Sequence, residues 1–324
     1  MLYALIAIAL IFDFTNGSND SSNIVATAIS SRAIGARRAL LIAAICEFVA
    51  PFIFGVNVAT TIGSDLIDPK AISLKVVFAA ILSSISWNVL TRRLGIPSSS
   101  SHALIGGLLG AAVLAEGISV IHFPGLFKIL LGLFMAPVVG LIFGFLFLRL
   151  VLYLARDASP KANQGFKRFQ YLTLISLSLS YGANDSQKTM GIIAMGLVTA
   201  GVEQKFHVPV WVIASCAGAI ALGTTFGGWR LIRTIGGRIY RIRPINALTS
   251  QLASATVILS AAKLGAPVSS THVISSAVMG AGAGQRVNKV NWLVAQDMFL
   301  TWIMTIPLTG IFSALVYQIV VLLT

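Results

Sequence analysis

Charge is scarce in this chain. Of 324 residues, 10 are Asp or Glu and 23 are Lys or Arg, so charged side chains make up 10% of the sequence. An average soluble domain carries about a quarter, and so little charge cannot cover the surface of a soluble protein of this size. Cysteine is also rare. Cys46 and Cys216 each lie inside an apolar run, which excludes a disulfide framework or the clustered spacing of a metal site and reads as small core residues. The opening MLYALIAIAL lacks the basic leader of a cleaved signal and reads as the start of a first membrane helix. Long polar stretches are missing as well, except for RDASPKANQGFKRF at 156–169. In their place are hydrophobic residues, 56% of the chain, gathered in runs of about 20 that are long enough to cross a hydrocarbon core about 30 Å thick. The expected class is an all-α polytopic membrane protein in contact with membrane lipid. A secreted enzyme, a disordered chain and a nucleic-acid-binding protein are excluded.

Apolar segments run over 2–30, 39–60, 72–90, 98–115, 125–155, 169–200, 209–228, 244–262, 268–283 and 292–324. Basic clusters fall at Arg32, Arg37 and Arg38, at Arg92 and Arg93, and at Arg149, Arg156, Lys161, Lys167 and Arg168. Others follow from Arg230 to Arg243 and at Arg286 and Lys289. The intervening loops, around 61–71, 116–124, 201–208 and 263–267, hold Asp65, Asp68, Glu116 and Glu203 with few cations. Basic loops are expected on the cytoplasmic side, which makes the net charge of +13 a matter of topology and puts both termini outside. Re-entrant hairpins would change the number of true crossings without moving those loops. The basic stretch from Gly227 to Arg243 is expected to fix topology rather than to lie on anionic lipid. Trp87, Trp211, Trp229 and Trp292 fall near segment ends, where interface anchors belong.

The sequence is internally duplicated. Gly17-Ser18-Asn19-Asp20-Ser21 recurs in the second half as Gly182-Ala183-Asn184-Asp185-Ser186. Leu94-Gly95-Ile96-Pro97-Ser98-Ser99-Ser100-Ser101-His102 recurs as Leu264-Gly265-Ala266-Pro267-Val268-Ser269-Ser270-Thr271-His272, in the same order and at nearly the same spacing. Residues 1–155 form a first repeat, 156–168 a cytoplasmic linker and 169–324 a second repeat. Five segments per half is an odd number, so the second half enters from the opposite side. Such inverted-topology repeats are typical of secondary transporters.

Polar residues inside the apolar segments give these repeats their chemistry. Asn19-Asp20 and Asn184-Asp185 interrupt long apolar runs, where a broken helix is tolerated only around a cavity or within protein. A buried Asp there costs about 2.5–3.5 kcal/mol. Beyond capping broken half-helices, Asp20 and Asp185 are expected to bind a cation or carry a proton, with the Asn19 and Asn184 oxygens beside them. Hard oxygen ligands suit Na⁺, and carboxylates equally take up H⁺. Pro97 and Pro267 favour helix starts just after them. Ser99, Ser100 and Ser101, with Ser269, Ser270 and Thr271, then offer hydroxyls and free backbone N–H groups to an anion, beyond simple capping or close helix packing. Glu47 breaks the symmetry, since the equivalent stretch carries Ala217, and an intramembrane Glu is a functional candidate for a cation or a proton. Asn23 and Gln187 occupy corresponding stretches and are expected to line the same cavity and to help bind the cation. Lys188 is expected to pair with a carboxylate, Asp185 or Asp20 first. His102 and His272 are read as structural hydrogen-bonding residues, a proton relay being the alternative. Asp13 and Asp297 are left as pairing or interface residues.

The motifs GSNDSSN and GANDSQK, with LGIPSSSSH and LGAPVSSTH, resemble the PiT family of inorganic phosphate transporters. GGWRLIRTIGGRI and VNWLVAQDMFLTWIMTIP resemble its second half. The resemblance covers nearly the whole chain. It implies an inverted-repeat helical transporter that moves phosphate with Na⁺ or H⁺ and is not an enzyme. It carries Asn19, Asp20, Asn184 and Asp185 over as cation-site residues, with Asp20 and Asp185 also facing the anion. Ser99 to His102 and Ser269 to His272 correspond to the family's Pro-Ser-Ser/Thr-His signature, and Glu47 to an acidic position of its second helix. GSND stands where GAND is usual and Ser101 where Thr is common; neither change removes an oxygen. Some bacterial relatives carry sulfate, so the anion stays open between phosphate and sulfate. An anion channel is the rival of another class. Na⁺ is preferred over H⁺ as the coupling ion. No cofactor and no transition metal is expected, the location is the cytoplasmic inner membrane, and a homodimer is compatible with the sequence without being specified by it.

Overall fold

A computed structural model describes residues 1–94, 98–157, 159, 162–227 and 243–323. The chain runs through α1 (Leu2–Ser30), α2 (Ala36–Phe54), the one-turn α3 (Asn57–Thr60), α4 (Leu74–Leu94), α5 (Ser100–Glu116), α6 (Phe123–Leu154), α7 (Ala162–Gly182), α8 (Asp185–Thr199), α9 (Val210–Thr225), α10 (Pro244–Lys263), α11 (Ser270–Gln285) and α12 (Trp292–Leu323). Among the described residues there is no strand, only an isolated antiparallel bridge between Ile67 and Ile121. Pro97, Lys161 and most of the basic stretch with Trp229 lie outside the described residues.

Helix lengths sort the elements. α6 and α12 have 32 residues each, about 48 Å at 1.5 Å per residue, more than the hydrocarbon core needs. Each presents an exposed apolar stripe at helical spacing: Leu131, Met135, Val138, Ile142, Leu146 and Leu150 on α6, and Met304, Leu308, Ile311, Leu315, Ile319 and Leu322 on α12. Apolar faces of that length are suited to lipid. By length and composition five of the described helices can cross a membrane, and six if α2 is joined to the turns at 57–65 across a 73° bend. α5, α8, α9 and α11 have 15 to 17 residues, about 23–26 Å, too short to cross unaided. The ten apolar segments of the sequence therefore do not all become full-length spans.

Two further corrections follow. α1 runs unbroken through Gly17-Ser18-Asn19-Asp20, so the break expected there is absent, whereas its counterpart interrupts the chain between α7 and α8. The second apolar segment, in turn, breaks at Gly55, whose φ of +79° is readily adopted only by glycine. The stretch read as the loop 61–71 contains a π turn at Thr61–Asp65 and a 3₁₀ turn at Pro69–Ala71.

The element order repeats. α6 and α12 share their length and an internal proline, Pro137 in one and Pro307 in the other, each near the middle of its helix. Packing crosses between the halves in matching pairs: α1 lies on α9 and α7 on α2, while α5 lies on α12 and α11 on α6. Glycines let these backbones approach. Gly110 abuts the backbone of Gly310, and Gly280 abuts Leu141. Two large apolar clusters hold the bundle. One gathers residues of α1, α3, α4, α5, α8 and α9; the other joins the end of α1 and α2 to α7, α10 and α11.

Candidate functional site

The N-terminal ends of α8 and α11 meet α1 in the interior, and the start of α5 meets α8 and the turn before α11. Ser99 stands at the N-cap of α5, its side chain accepting from His102 N at 3.4 Å. Ser269 holds the same position on α11 without a side-chain capping bond. Both follow the physics of helix starts, where four N–H groups have no intrahelical partner. Pro267 belongs to the turn that lets α11 begin where it does. The duplicated motifs, distant in sequence, touch here. Thr271 Oγ1 donates to Asp20 Oδ1 at 2.8 Å. Asn23 Nδ2 donates to Asp20 Oδ1 at 3.2 Å and to Thr271 Oγ1 at 3.1 Å. In the other half, Lys188 Nζ donates to Asp185 Oδ1, to Ser101 Oγ at 2.6 Å and to Val268 O at 2.9 Å, and Ser101 Oγ donates to Val268 O at 3.0 Å.

The two signatures also engage within the second half. Asn184 Nδ2 donates to Ala266 O at 3.2 Å and Asn184 Oδ1 accepts from Val268 N at 3.3 Å. The amide thus ties the α7–α8 break to the turn before α11. Its oxygen is committed to that backbone N–H.

Several buried oxygens at this locus have no hydrogen-bond partner: Asn19 Oδ1, both oxygens of Glu47, Asp185 Oδ2 and the hydroxyls of Ser270 and Tyr181. Thr224 stands beside Glu47, but its hydroxyl donates to Gly17 O at 3.3 Å, which leaves the carboxylate unbonded. Asp20, Glu47 and Asp185 are close enough to act on one another electrostatically. Leaving such buried groups unpaired is costly. The set is mixed in kind. Asn19, Glu47 and Asp185 offer acceptors, which a cation satisfies; Ser270 and Tyr181 offer hydroxyl protons, which an anion satisfies.

The structure brings together Asn19, Asp20, Asn23, Glu47, Asn184, Asp185, Ser101, Ser270 and Thr271, with Ser99 and Ser269 at the adjoining helix caps and Ser100 in the first turn of α5. Gln187 is a correction. Its Oε1 accepts from Val58 N at 2.8 Å, and its Nε2 donates to Gly55 O and Ala183 O at 2.6 and 2.7 Å. The side chain is spent on backbone at two breaks and has no oxygen free for an ion. The structural hydrogen bonds expected of His102 and His272 are a second correction. No ring nitrogen of His102 or His272 has a hydrogen-bond partner; the rings lie 5.2 Å apart, with His272 stacked on Trp302 at 4.4 Å. They pack as aromatic bodies. Lys188 pairs with Asp185 as expected. The side chain of Asp297 lies outside what is described.

Asp13 pairs as expected, whereas sequence reasoning missed Tyr181. Asp13 is fully buried and accepts from Thr189 Oγ1 at 2.5 Å. Tyr181 is fully buried beside the carboxylates of Asp20, Asp185 and Glu47. The signal for Tyr181 was present, a tyrosine directly before the second motif.

Long apolar helices around a buried polar locus built from helix ends define a multi-pass membrane protein of the transporter kind. The profile of the phosphate transporter family matches residues 16–313, and the chain belongs to that family. It is 41% identical over 319 residues to a probable low-affinity inorganic phosphate transporter of Bacillus subtilis, covering 97% of this chain and 96% of that one. It is 42% identical over 319 residues to another so named in Rhizobium meliloti, covering 98% and 96%. A solved structure, the sodium-dependent phosphate transporter, superposes with a TM-score of 0.89 over 100% of this chain and 99% of that one at 24% identity, which shows the fold. The family's function is transport, not catalysis.

Proposed function

We propose that this chain is a cation-coupled symporter of inorganic phosphate in the cytoplasmic membrane, with Na⁺ as the coupling ion. The observation that carries the reading is the meeting of both Asn-Asp motifs with both Ser-rich helix starts. It puts orphan acceptors and orphan hydroxyl donors into one buried locus. Phosphate binds at the hydroxyls and N–H groups of Ser99–Ser101 and Ser269–Thr271, favoured by the positive ends of α5 and α11. The cation binds at Asn19, Asp20 and Glu47, whose oxygens suit a hard ion. Each charge offsets the other, so binding of one strengthens binding of the other.

The exchanged helix pairs support an inverted repeat, 1–155 and 169–324 about the linker 156–168, and the basic loops favour both termini outside. In that architecture the site is exposed alternately as one bundle moves against the other. A channel would carry no reason for buried carboxylates facing an anion path. The names of the bacterial relatives support phosphate over sulfate as the cargo.

The test is uptake of labelled phosphate into proteoliposomes under an inward Na⁺ gradient and, separately, an inward H⁺ gradient. Accumulation driven by Na⁺ and unaffected by excess sulfate is expected. Accumulation driven by H⁺ alone would overturn the sodium assignment and turn Glu47 into the proton carrier. Uptake of sulfate with no phosphate uptake would overturn the cargo.

A further inference from the structure

The two Asp-centred clusters are built from repeat-equivalent residues, with one change of charge between them. Asp20 and Asp185 are equivalents in the first motif pair, and Asn23 and Lys188 each stand three places beyond them. Ser101 and Thr271 are equivalents in the second motif pair, each directly before its histidine. In the first cluster Asn23 donates to Asp20 and to the Thr271 hydroxyl. In the second, Lys188 donates to Asp185 and to the Ser101 hydroxyl. The Asn23 and Lys188 contacts join repeat-equivalent residues, each reaching a hydroxyl of the opposite half, while Thr271 donates to Asp20 where Ser101 donates to Val268 O. A neutral amide in one cluster is an ammonium in the other.

The ammonium is fully committed. It has three N–H donors and meets three oxygens, a carboxylate, a hydroxyl and the Val268 carbonyl. Lys188 is 3% exposed, so bulk solvent does not share the charge. Carboxylate, hydroxyl and backbone carbonyl are the oxygen types that hold a hard cation. No donor remains on Nζ to reach an anion, which argues against Lys188 as a phosphate ligand.

We infer that the Lys188 ammonium is a tethered cation that fills, in the second repeat, the seat which a free coupling ion takes in the first. Lys188 and Asn23 then set how many coupling cations this transporter uses. Asp20, beside a neutral amide, needs an ion from solution; Asp185 carries its own. The inference deepens the proposed cation role and rests on it, but its test separates the two.

The experiment is equilibrium dialysis of the purified protein against radiolabelled Na⁺, with coupled uptake in proteoliposomes alongside. Lys188→Asn, which makes the second cluster like the first, should bind one more Na⁺ per chain than the wild type. Asp185→Asn added to it should cancel that gain. Asn23→Lys, the reciprocal change, should lose the Na⁺ stimulation of uptake. If the wild type binds no Na⁺, the sodium reading of the first seat fails, while a gain in Lys188→Asn still supports the tethered cation. Should Lys188→Asn be monodisperse in NaCl and aggregated in choline chloride, the inference gains support, because the opened seat then requires an ion. If it aggregates in both, Lys188→Gln carries the same dialysis. No added Na⁺ in a monodisperse Lys188 variant, or full Na⁺ stimulation retained in Asn23→Lys, overturns the inference.

Discussion

The Thr271 hydroxyl donates to Asp20 Oδ1 at 2.8 Å and accepts from Asn23 Nδ2 at 3.1 Å, so one oxygen links an α11 helix start to the ion motif on α1. Replacing it by valine keeps the shape and removes both bonds. Hydrogen bonds to charged groups contribute roughly 1.5–3 kcal/mol, and 1.4 kcal/mol is about tenfold in an equilibrium constant. Thr271→Val is therefore expected to raise the KM for phosphate by roughly 10-fold or more, with normal protein levels in the membrane. Ser176→Ala provides the contrast. Its exposed hydroxyl donates only to Leu172 O within its own helix, and uptake kinetics should not change. An unchanged KM in Thr271→Val would separate Asp20 from substrate binding. At Glu47, where neither carboxylate oxygen has a hydrogen bond, Glu47→Gln keeps the size and removes the charge. The expected outcome is loss of cation-driven accumulation with phosphate exchange across the membrane retained, read by counterflow.

Elements respond to their ends. The same Gly-x-Asn-Asp motif breaks the chain after α7 and leaves α1 continuous, and the residue two places beyond each Asp explains why. Gln187 reaches Ala183 O, Gly55 O and Val58 N, supplying partners for backbone freed at the break. Its equivalent, Ser22, is too short to do so and bonds back to Asn19 O at 2.9 Å, which suits an uninterrupted helix. The duplicated motifs were legible in the sequence as site residues, since an Asp in an apolar run has few structural uses. The continuity of α1 was not, because it depends on the reach of a side chain. Nor was the sharp bend at Gly55, which needs a partner from α8 to cap its second limb. Gln187→Leu should expose the segment at 55–65 to hydrogen exchange well before the rest of the bundle, because Val58 N–H and Gly55 C=O lose their partners. Equal protection in the variant would show that other contacts hold α3. A second test concerns close packing. A side chain at Gly110 or Gly280 would run into the backbone of Gly310 or Leu141, and overpacking costs roughly 1–3 kcal/mol. Gly110→Val and Gly280→Val should each lower the melting temperature in detergent. Gly218→Ala, at a position with nothing within 4 Å of the added atom, should leave it unchanged or raise it slightly.

At the scale of the whole molecule, four of the large helix contacts cross from one half to the other. α1 rests on α9, α7 on α2, α5 on α12 and α11 on α6, and each of these pairs joins one half to the other. The site has the same property: Asp20 takes its hydroxyl from Thr271, and Lys188 takes its from Ser101. Repeats that had merely been placed side by side would each bury their own glycine seams. These bury each other's, so the exchange of partners makes the halves inseparable while the short helix ends between them stay free to form a common site. The second half of the stretch read as a linker, from Ala162, is already the start of α7; cutting the chain between α6 and α7 interrupts neither helix and should cost little. The chain expressed as two pieces divided at the linker is therefore expected to assemble when the pieces are made together, with both co-purifying through a tag on one and labelled phosphate accumulating in reconstituted vesicles. Either piece made alone should be degraded or aggregate, since its long apolar helices lose the faces that cover their small residues. Two monodisperse half-molecules, each stable without the other, would contradict the exchanged packing and the shared site built on it.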